Sequence, residues 1–200
     1  LWHNKNEFRL YFLVLMNASF MERTYLGVDL GLGQYLSDYN QLEEGLAYKS
    51  GRGVKNLNRD DIDKAIDNLV KMGKIKVEEN EYGILFTVVD YEKLLDQNIG
   101  GWVKIPRVLI SDRVWYNPIT FRLYLWLIVN ATYRDYHFLG TELRRGQYIR
   151  AYSKLAEDLS YKQDNEVKLL STSVIADNVK KLKSLKKIDV KVSEFGTLFT

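Results

Sequence analysis

The chain has 200 residues, 46% hydrophobic, 13% aromatic and 28% charged, with a formal net charge of +3. That composition identifies a globular chain able to bury two cores of small-domain size. The lack of cysteine excludes a disulfide framework and a thiolate metal site, and the longest apolar run, around Leu123 to Val129, is far short of the roughly 18 to 20 residues that a membrane span needs. No signal peptide leads the sequence, so a cytoplasmic location is expected. The start at Leu1 without Met, and Thr200 standing where Thr87 is followed by Val88-Val89, are read as a piece of a longer protein trimmed at both ends.

The chain contains itself twice: residues 1–87 realign without a gap on residues 114–200, and 33 of the 87 positions are identical. A period this long is that of a whole domain rather than of a solenoid repeat of about 20 to 50 residues. Two domains are expected, 1–96 and 99–200, joined near Leu94 to Gly101. The first, residues 1–96, carries 12 Lys plus Arg against 16 Asp plus Glu, a balance of −4; residues 97–200 carry 17 against 10, a balance of +7. An acidic copy joined to a basic one points to unequal partners.

In the first copy a helix is expected around Phe8 to Ala18, a short strand over Gln34 to Leu36 and a helix near Leu42. A long loop over Ala47 to Leu57 then leads to a helix capped by Asn58, and the hairpin Ile75 to Val89 turns at Tyr82-Gly83. The second copy repeats the order. Phe121 to Thr132 reads as a buried helix preceded by Pro118, Gly146 to Arg150 as a strand leaving a glycine turn, and Tyr152 to Leu159 as a helix. A polar loop over Ser160 to Leu170 precedes a helix opened by Ser171, with Ile175, Val179 and Leu182 at helical spacing. The period then changes to two at Ile188, Val190 and Val192, and Phe195-Gly196 makes the turn into Leu198 and Phe199. The fold class is therefore read as α+β, mainly α: two tandem winged helix-turn-helix domains.

The stretches Gly101-Trp102-Val103-Lys104, Phe121-Arg122-Leu123-Tyr124, Leu139-Gly140, Arg145-Gly146-Gln147-Tyr148-Ile149 and Lys154-Leu155-Ala156-Glu157-Asp158-Leu159 resemble the N-terminal winged-helix domain of phage replisome organisers. DnaD-like replication initiation proteins of Gram-positive bacteria and their mobile elements share the pattern. The resemblance spans both copies, and the Arg-Gly-Gln-aromatic block followed by Lys-Leu-Ala-Glu is its most specific part. It implies binding of double-stranded DNA in replication initiation or its control, without catalysis by this domain.

The residues themselves supply candidates for that contact, because duplex affinity comes chiefly from Lys and Arg neutralising phosphates. Lys180, Lys181, Lys183, Lys186 and Lys187 run along and just after the expected recognition helix, Lys191 lies on the wing, and Thr172 and Ser173 stand at the helix start. Lysines also gather at helix C-termini to complement the macrodipole, but five in eight positions exceed that need. In the first copy Asp60, Asp61, Asp63 and Asp67 occupy the equivalent helix; they suit a solvated helix start, or an acidic surface for a protein partner or for the basic copy. Its candidates for DNA lie instead in the long loop, where Lys49, Arg52, Lys55 and Arg59 accompany Gly51 and Gly53. The repeated aromatics Trp2/Trp115, Tyr11/Tyr124, Tyr35/Tyr148 and Tyr39/Tyr152 read as shared core, and only Tyr161 and Tyr133-Arg134 approach a base-stacking pattern. His3 and His137 are not equivalent, and no phosphate loop, HExxH or GxSxG motif occurs, so no enzyme, cofactor or metal is expected.

The expected function is a double-stranded DNA-binding module of a phage, plasmid or mobile-element replication initiator. A joint of seven extended residues reaches about 25 Å, enough with the domain dimensions to set two recognition helices one DNA turn apart, and tandem linkage would act as a built-in dimer. A replication or regulatory protein is the expected partner of the acidic copy, and no membrane is involved. The alternatives are a protein-interaction scaffold built from two winged helices, or a transcriptional regulator.

Overall fold

Aromatic and aliphatic side chains crowd the opening of each copy over runs too long for an ordinary strand, and they form helices of 13 residues that are buried on most sides. The computed structural model describes residues 1–96, 103–138, 140–163 and 166–200, over which the chain divides into two compact units, Leu1–Ser111 and Asp112–Thr200. In the first unit the order is α1 (Lys5–Asn17), β1 (Arg23–Tyr25), β2 (Val28–Leu30), β3 (Gln34–Ser37), α2 (Tyr39–Gly45), β4 (Tyr48–Ser50), β5 (Gly53–Lys55), α3 (Arg59–Lys71), β6 (Ile75–Asn80), β7 (Gly83–Val88), α4 (Tyr91–Leu95) and a 3-10 helix, Arg107–Ser111. In the second it is α5 (Pro118–Asn130), β8 (Tyr136–Phe138), β9 (Thr141–Leu143), β10 (Tyr148–Arg150), α6 (Tyr152–Asp158), β11 (Tyr161–Gln163), β12 (Glu166–Lys168), α7 (Thr172–Ser184), β13 (Val190–Ser193) and β14 (Gly196–Phe199).

Helices α1 and α5 begin three residues before the expected positions, at Lys5 and Pro118. In α5 the extension has a plain cause: Asn117 accepts the backbone N–H of Thr120, and Pro118 at the first helical position gives up an N–H that had no helical partner. Each helix packs the same aromatic pair edge to face, Trp2 on Phe8 at 4.9 Å and Trp115 on Phe121 at 4.7 Å between ring centroids. Asn58 and Ser171 cap α3 and α7 by accepting the N–H of Asp61 and Val174, as their residue types require. Helix α3 buries Ile62, Ala65, Ile66 and Leu69, and α7 buries Ile175, Asn178, Val179 and Leu182.

Each unit holds a three-stranded antiparallel sheet in which the last strand lies in the middle, β3-β7-β6 and β10-β14-β13. The glutamine shared by the two Gly-Gln-Tyr blocks ties this sheet to its entering turn. Gln34 accepts the N–H of Gly31 and donates to the Thr87 hydroxyl; Gln147 accepts the N–H of Arg144 and donates to the Thr200 hydroxyl. The strand returning from each ribbon starts at a glycine, Gly83 (φ +130) or Gly196 (φ +128), which crosses against the backbone at Ser37 or at Arg150 and Ala151.

Three expectations are corrected. Seven α-helices share the described residues with fourteen strands, so the fold is mixed α+β rather than mainly α. The supposed loops over Ala47 to Leu57 and Ser160 to Leu170 are antiparallel ribbons, β4–β5 and β11–β12, with Lys49 opposite Val54 and Lys162 opposite Val167. Two further ribbons, β1–β2 and β8–β9, stand between the first helix of each unit and its central sheet. Finally, the division between units falls after Ser111 rather than at 96 to 99. The 3-10 helix belongs to the first unit: Leu109 is buried, and Arg107 donates to the Ala18 carbonyl and the Tyr91 hydroxyl and lies over the Phe20 ring. Of the expected joint near Leu94 to Gly101, residues 97–101 lie outside the described residues.

Candidate nucleic-acid interface

A helix turns 100° per residue, so burying Ile175, Asn178, Val179 and Leu182 aims Ser173, Asp177, Lys180 and Ser184 outward on α7. Lys181 and Lys183 fall on opposite flanks of that outward line, so the three exposed lysines fan around the helix rather than forming one stripe. Thr172 and Ser173 are exposed at the helix start, where the Ser173 hydroxyl lies 2.8 Å from that of the capping Ser171. Lys180 has Asp177 for a neighbour at 3.8 Å, an exposed pair of little energetic weight. Lys191 is exposed on β13, beside the 86% exposed Val192.

Lys187 does not belong to this set. Its side chain is about three-quarters covered, and its ammonium pairs with the Asp112 carboxylate inside the second unit. Burial acts to raise the Asp112 pKa, but the hydrogen bonds from Lys187 and the Val114 N–H, with the charges of Lys187 and Arg113, outweigh it and hold the group below its ordinary value. A carboxylate depressed in the folded state contributes stability that is present above its unfolded pKa of about 3.9 and lost as pH falls through the folded value. Lys187→Met is therefore expected to shrink the loss of second-unit stability between pH 6 and pH 3, measured as the shift in urea midpoint. A wild-type-sized loss in the variant would rule the pair out as its source.

Lys186 is exposed and stands just past the end of α7 in the left-handed region, φ 55, and the N–H groups of Lys186 and Lys187 return to the Lys183 and Leu182 carbonyls. In the first unit the same turn is made by Gly73, φ 64. The outward face of α3 carries Asp60, Lys64, Asp67 and Lys71, so its charges cancel where those of a phosphate-binding helix would be positive.

The remaining candidates sit on and after the first unit's extra ribbon. Arg52 and Lys55 are exposed at and beyond its turn, with Lys49 exposed on the opposing strand. Arg59 opens α3 with its guanidinium 3.8 Å from the centre of the Tyr39 ring, whose hydroxyl donates to Asp63. The ribbon's root is fixed from below: the buried Arg9 guanidinium of α1 donates to the carbonyls of Leu46 (2.7 Å) and Ala47 (3.1 Å), just before β4. Arg122 of α5 does the same for Leu159 (3.3 Å) and Ser160 (3.1 Å), just before β11. Burial pulls each guanidinium down to about 10, which leaves it protonated at neutral pH.

Sequence reasoning passed over Lys162 and Lys168, exposed on β11 and β12, and the anchoring role of the two arginines. The signal was present as Tyr-Lys followed six positions later by Val-Lys in both copies, at 48–55 and 161–168. Of the aromatics noted earlier, Tyr133 is exposed with the Arg134 guanidinium 5.2 Å from its ring centre. Among the described residues no helix is long and apolar enough to cross a membrane. Comparison with protein-family models, curated proteins and solved structures gives no match.

Proposed function

We propose that each unit is a winged helix-turn-helix, and that the chain is a duplex-DNA-binding module of a phage, plasmid or mobile-element replication initiation protein. The fold reading is supported by the order helix, strand, helix, helix, ribbon that remains when the short ribbons β1–β2, β4–β5, β8–β9 and β11–β12 are treated as insertions, with the final strand returning to pair with the first strand of the sheet. In that reading α2–α3 and α6–α7 are the paired helices, β6–β7 and β13–β14 are the wings, and α7 is the helix that approaches DNA. The replication role rests on the sequence resemblance.

The observation that carries DNA binding is Lys186. A side chain in the left-handed region costs roughly 1 kcal/mol against glycine, the residue that the first unit uses there. Strain kept at an exposed position is an argument for function, and here it adds a cation to Lys180, Lys181, Lys183 and Lys191. Lys186→Gly is expected to stabilise the second unit by about 1 kcal/mol while weakening its binding to a labelled 30-base-pair duplex. Lys180→Ala/Lys181→Ala is expected to lower the slope of log affinity against log salt by about 2, since each phosphate contact contributes about 0.9. Absence of salt-dependent binding by the unaltered chain, even at low salt, would sink the proposal.

A second reading applies to the first unit. Tyr39, Asp63, Ile66, Asp67, Val70, Val77, Glu79 and Ile84 line a cleft of about 480 Å³ that is at once acidic and apolar, which suits a replication or regulatory protein better than a phosphate.

A further inference from the structure

The two copies test each other, because a position kept identical by packing should be buried and one kept identical by a shared target should be exposed. Within α3 and α7 the identical residues are Ile62/Ile175 and Leu69/Leu182, and all four are buried. Every outward position of the two helices differs. The ribbons β4–β5 and β11–β12 differ: beside the half-buried Tyr48/Tyr161, their identical residues face solvent. Lys49/Lys162, Val54/Val167 and Lys55/Lys168 are identical and all exposed, Val54 at 59% and Val167 at 60%. None of the six belongs to the buried core.

We infer that β4–β5 and β11–β12 are the sequence-neutral DNA contact common to both units, with Lys49 and Lys55 in one and Lys162 and Lys168 in the other taking phosphates; the inference rests on the DNA-binding reading above. Two units of opposite charge balance and unrelated outward helices have kept the same lysines, so the target of those lysines is the same for both. On a duplex the part that stays the same from site to site is the sugar-phosphate backbone, whereas the base edges change. The register puts a lysine on each side of the ribbon, Lys49 beside Val54 and Lys55 beside Tyr48, and repeats this in β11–β12. Lys168 pairs with Glu166 on its own strand, an exposed contact that phosphate can displace at small cost. Arg9 and Arg122 hold both ribbons at their roots by the same two-carbonyl grip, so the lysines are presented from equivalent fixed bases.

The test uses the 200-residue chain, two 30-base-pair duplexes of unrelated sequence, and fluorescence anisotropy across a salt series. Lys49→Ala/Lys55→Ala and Lys162→Ala/Lys168→Ala should each lower the salt slope by about 2 and weaken both duplexes by the same factor, with thermal melting unchanged. The paired Lys→Arg variants should restore binding. Slopes that stay at the unaltered value while Lys180→Ala/Lys181→Ala lowers its own would overturn this inference and leave the DNA-binding reading standing. A loss confined to one duplex would overturn it too, since the contact would then read sequence. If the unaltered chain binds neither duplex at low salt, both readings fall together.

Discussion

Gly83→Ala is expected to cost the first unit about 3 kcal/mol or more, and Gly196→Ala to damage the second in the same way. Both glycines sit near φ +130, a region that side chains rarely adopt, and a strained residue of this kind costs of order 1 to 3 kcal/mol. The added carbon makes matters worse. At Gly83 it would lie 2.4 Å from the Ser37 carbonyl oxygen, and at Gly196 it would lie 2.9 Å from the Ala151 nitrogen and 3.0 Å from the Arg150 carbonyl carbon. All of these are backbone atoms, and they can yield only if the central strand of the sheet leaves its neighbour. Gly53→Ala is the control, since a carbon there meets nothing within 4 Å and the backbone is not left-handed. Urea denaturation followed with separate probes for each unit measures the effect, because two compact units need not unfold together. A Gly83→Ala chain as stable as Gly53→Ala would show that the strand crossing is not as tight as described.

Arg9→Leu and Arg122→Leu carry the second large effect, a loss of about 2 to 4 kcal/mol in the unit concerned. Two opposing terms decide it. Removing a buried charge returns its desolvation cost, and well-packed apolar replacements of buried ions are sometimes neutral for that reason. Leucine, however, reaches neither carbonyl, so Leu46 and Ala47, or Leu159 and Ser160, each lose a donor, at about 1 to 3 kcal/mol per stranded group. The second term wins because two acceptors are stranded for one cation removed. Arg→Lys should recover little, since one ammonium cannot span two carbonyls as the forked guanidinium does. Hydrogen exchange adds a readout that a general loss of stability would not give. The amides of β4–β5 should exchange faster in Arg9→Leu, and those of β11–β12 in Arg122→Leu, ahead of the rest of the unit. Uniform acceleration would mean that the arginine supports the fold as a whole and not the ribbon root.

The elements that could be read from sequence are those whose pattern is long enough to repeat. Thirteen residues of α3 or α7 show the inward quartet more than once, and β6 and β7, six residues each, show the alternation of a ribbon. The four extra ribbons have three-residue strands, too short for alternation to stand out, and Gly51 and Gly53 make β4–β5 look like unstructured chain. The segment before Asp112 posed a different difficulty. It lies outside the residues that realign between the two copies, and its sequence does not say that Arg107 will reach the Ala18 carbonyl, 89 positions away. Among the candidate site residues, exposure on α7 followed from helical spacing. The withdrawal of Lys187 did not, because its partner Asp112 is distant in sequence and lies at the very start of the second unit.

The matching lengths of α3 and α7, hung on Ile62 and Leu69 in one case and on Ile175 and Leu182 in the other, separate two kinds of change. Replacing an outward residue leaves the inward anchors untouched, so the exposed half of each helix has been able to drift without putting the fold at risk. A duplicated domain of this design is a substrate for divergence: one copy can keep an old task while its twin explores a new one. The ribbons, resisting that drift on both sides, mark what the twins still have in common.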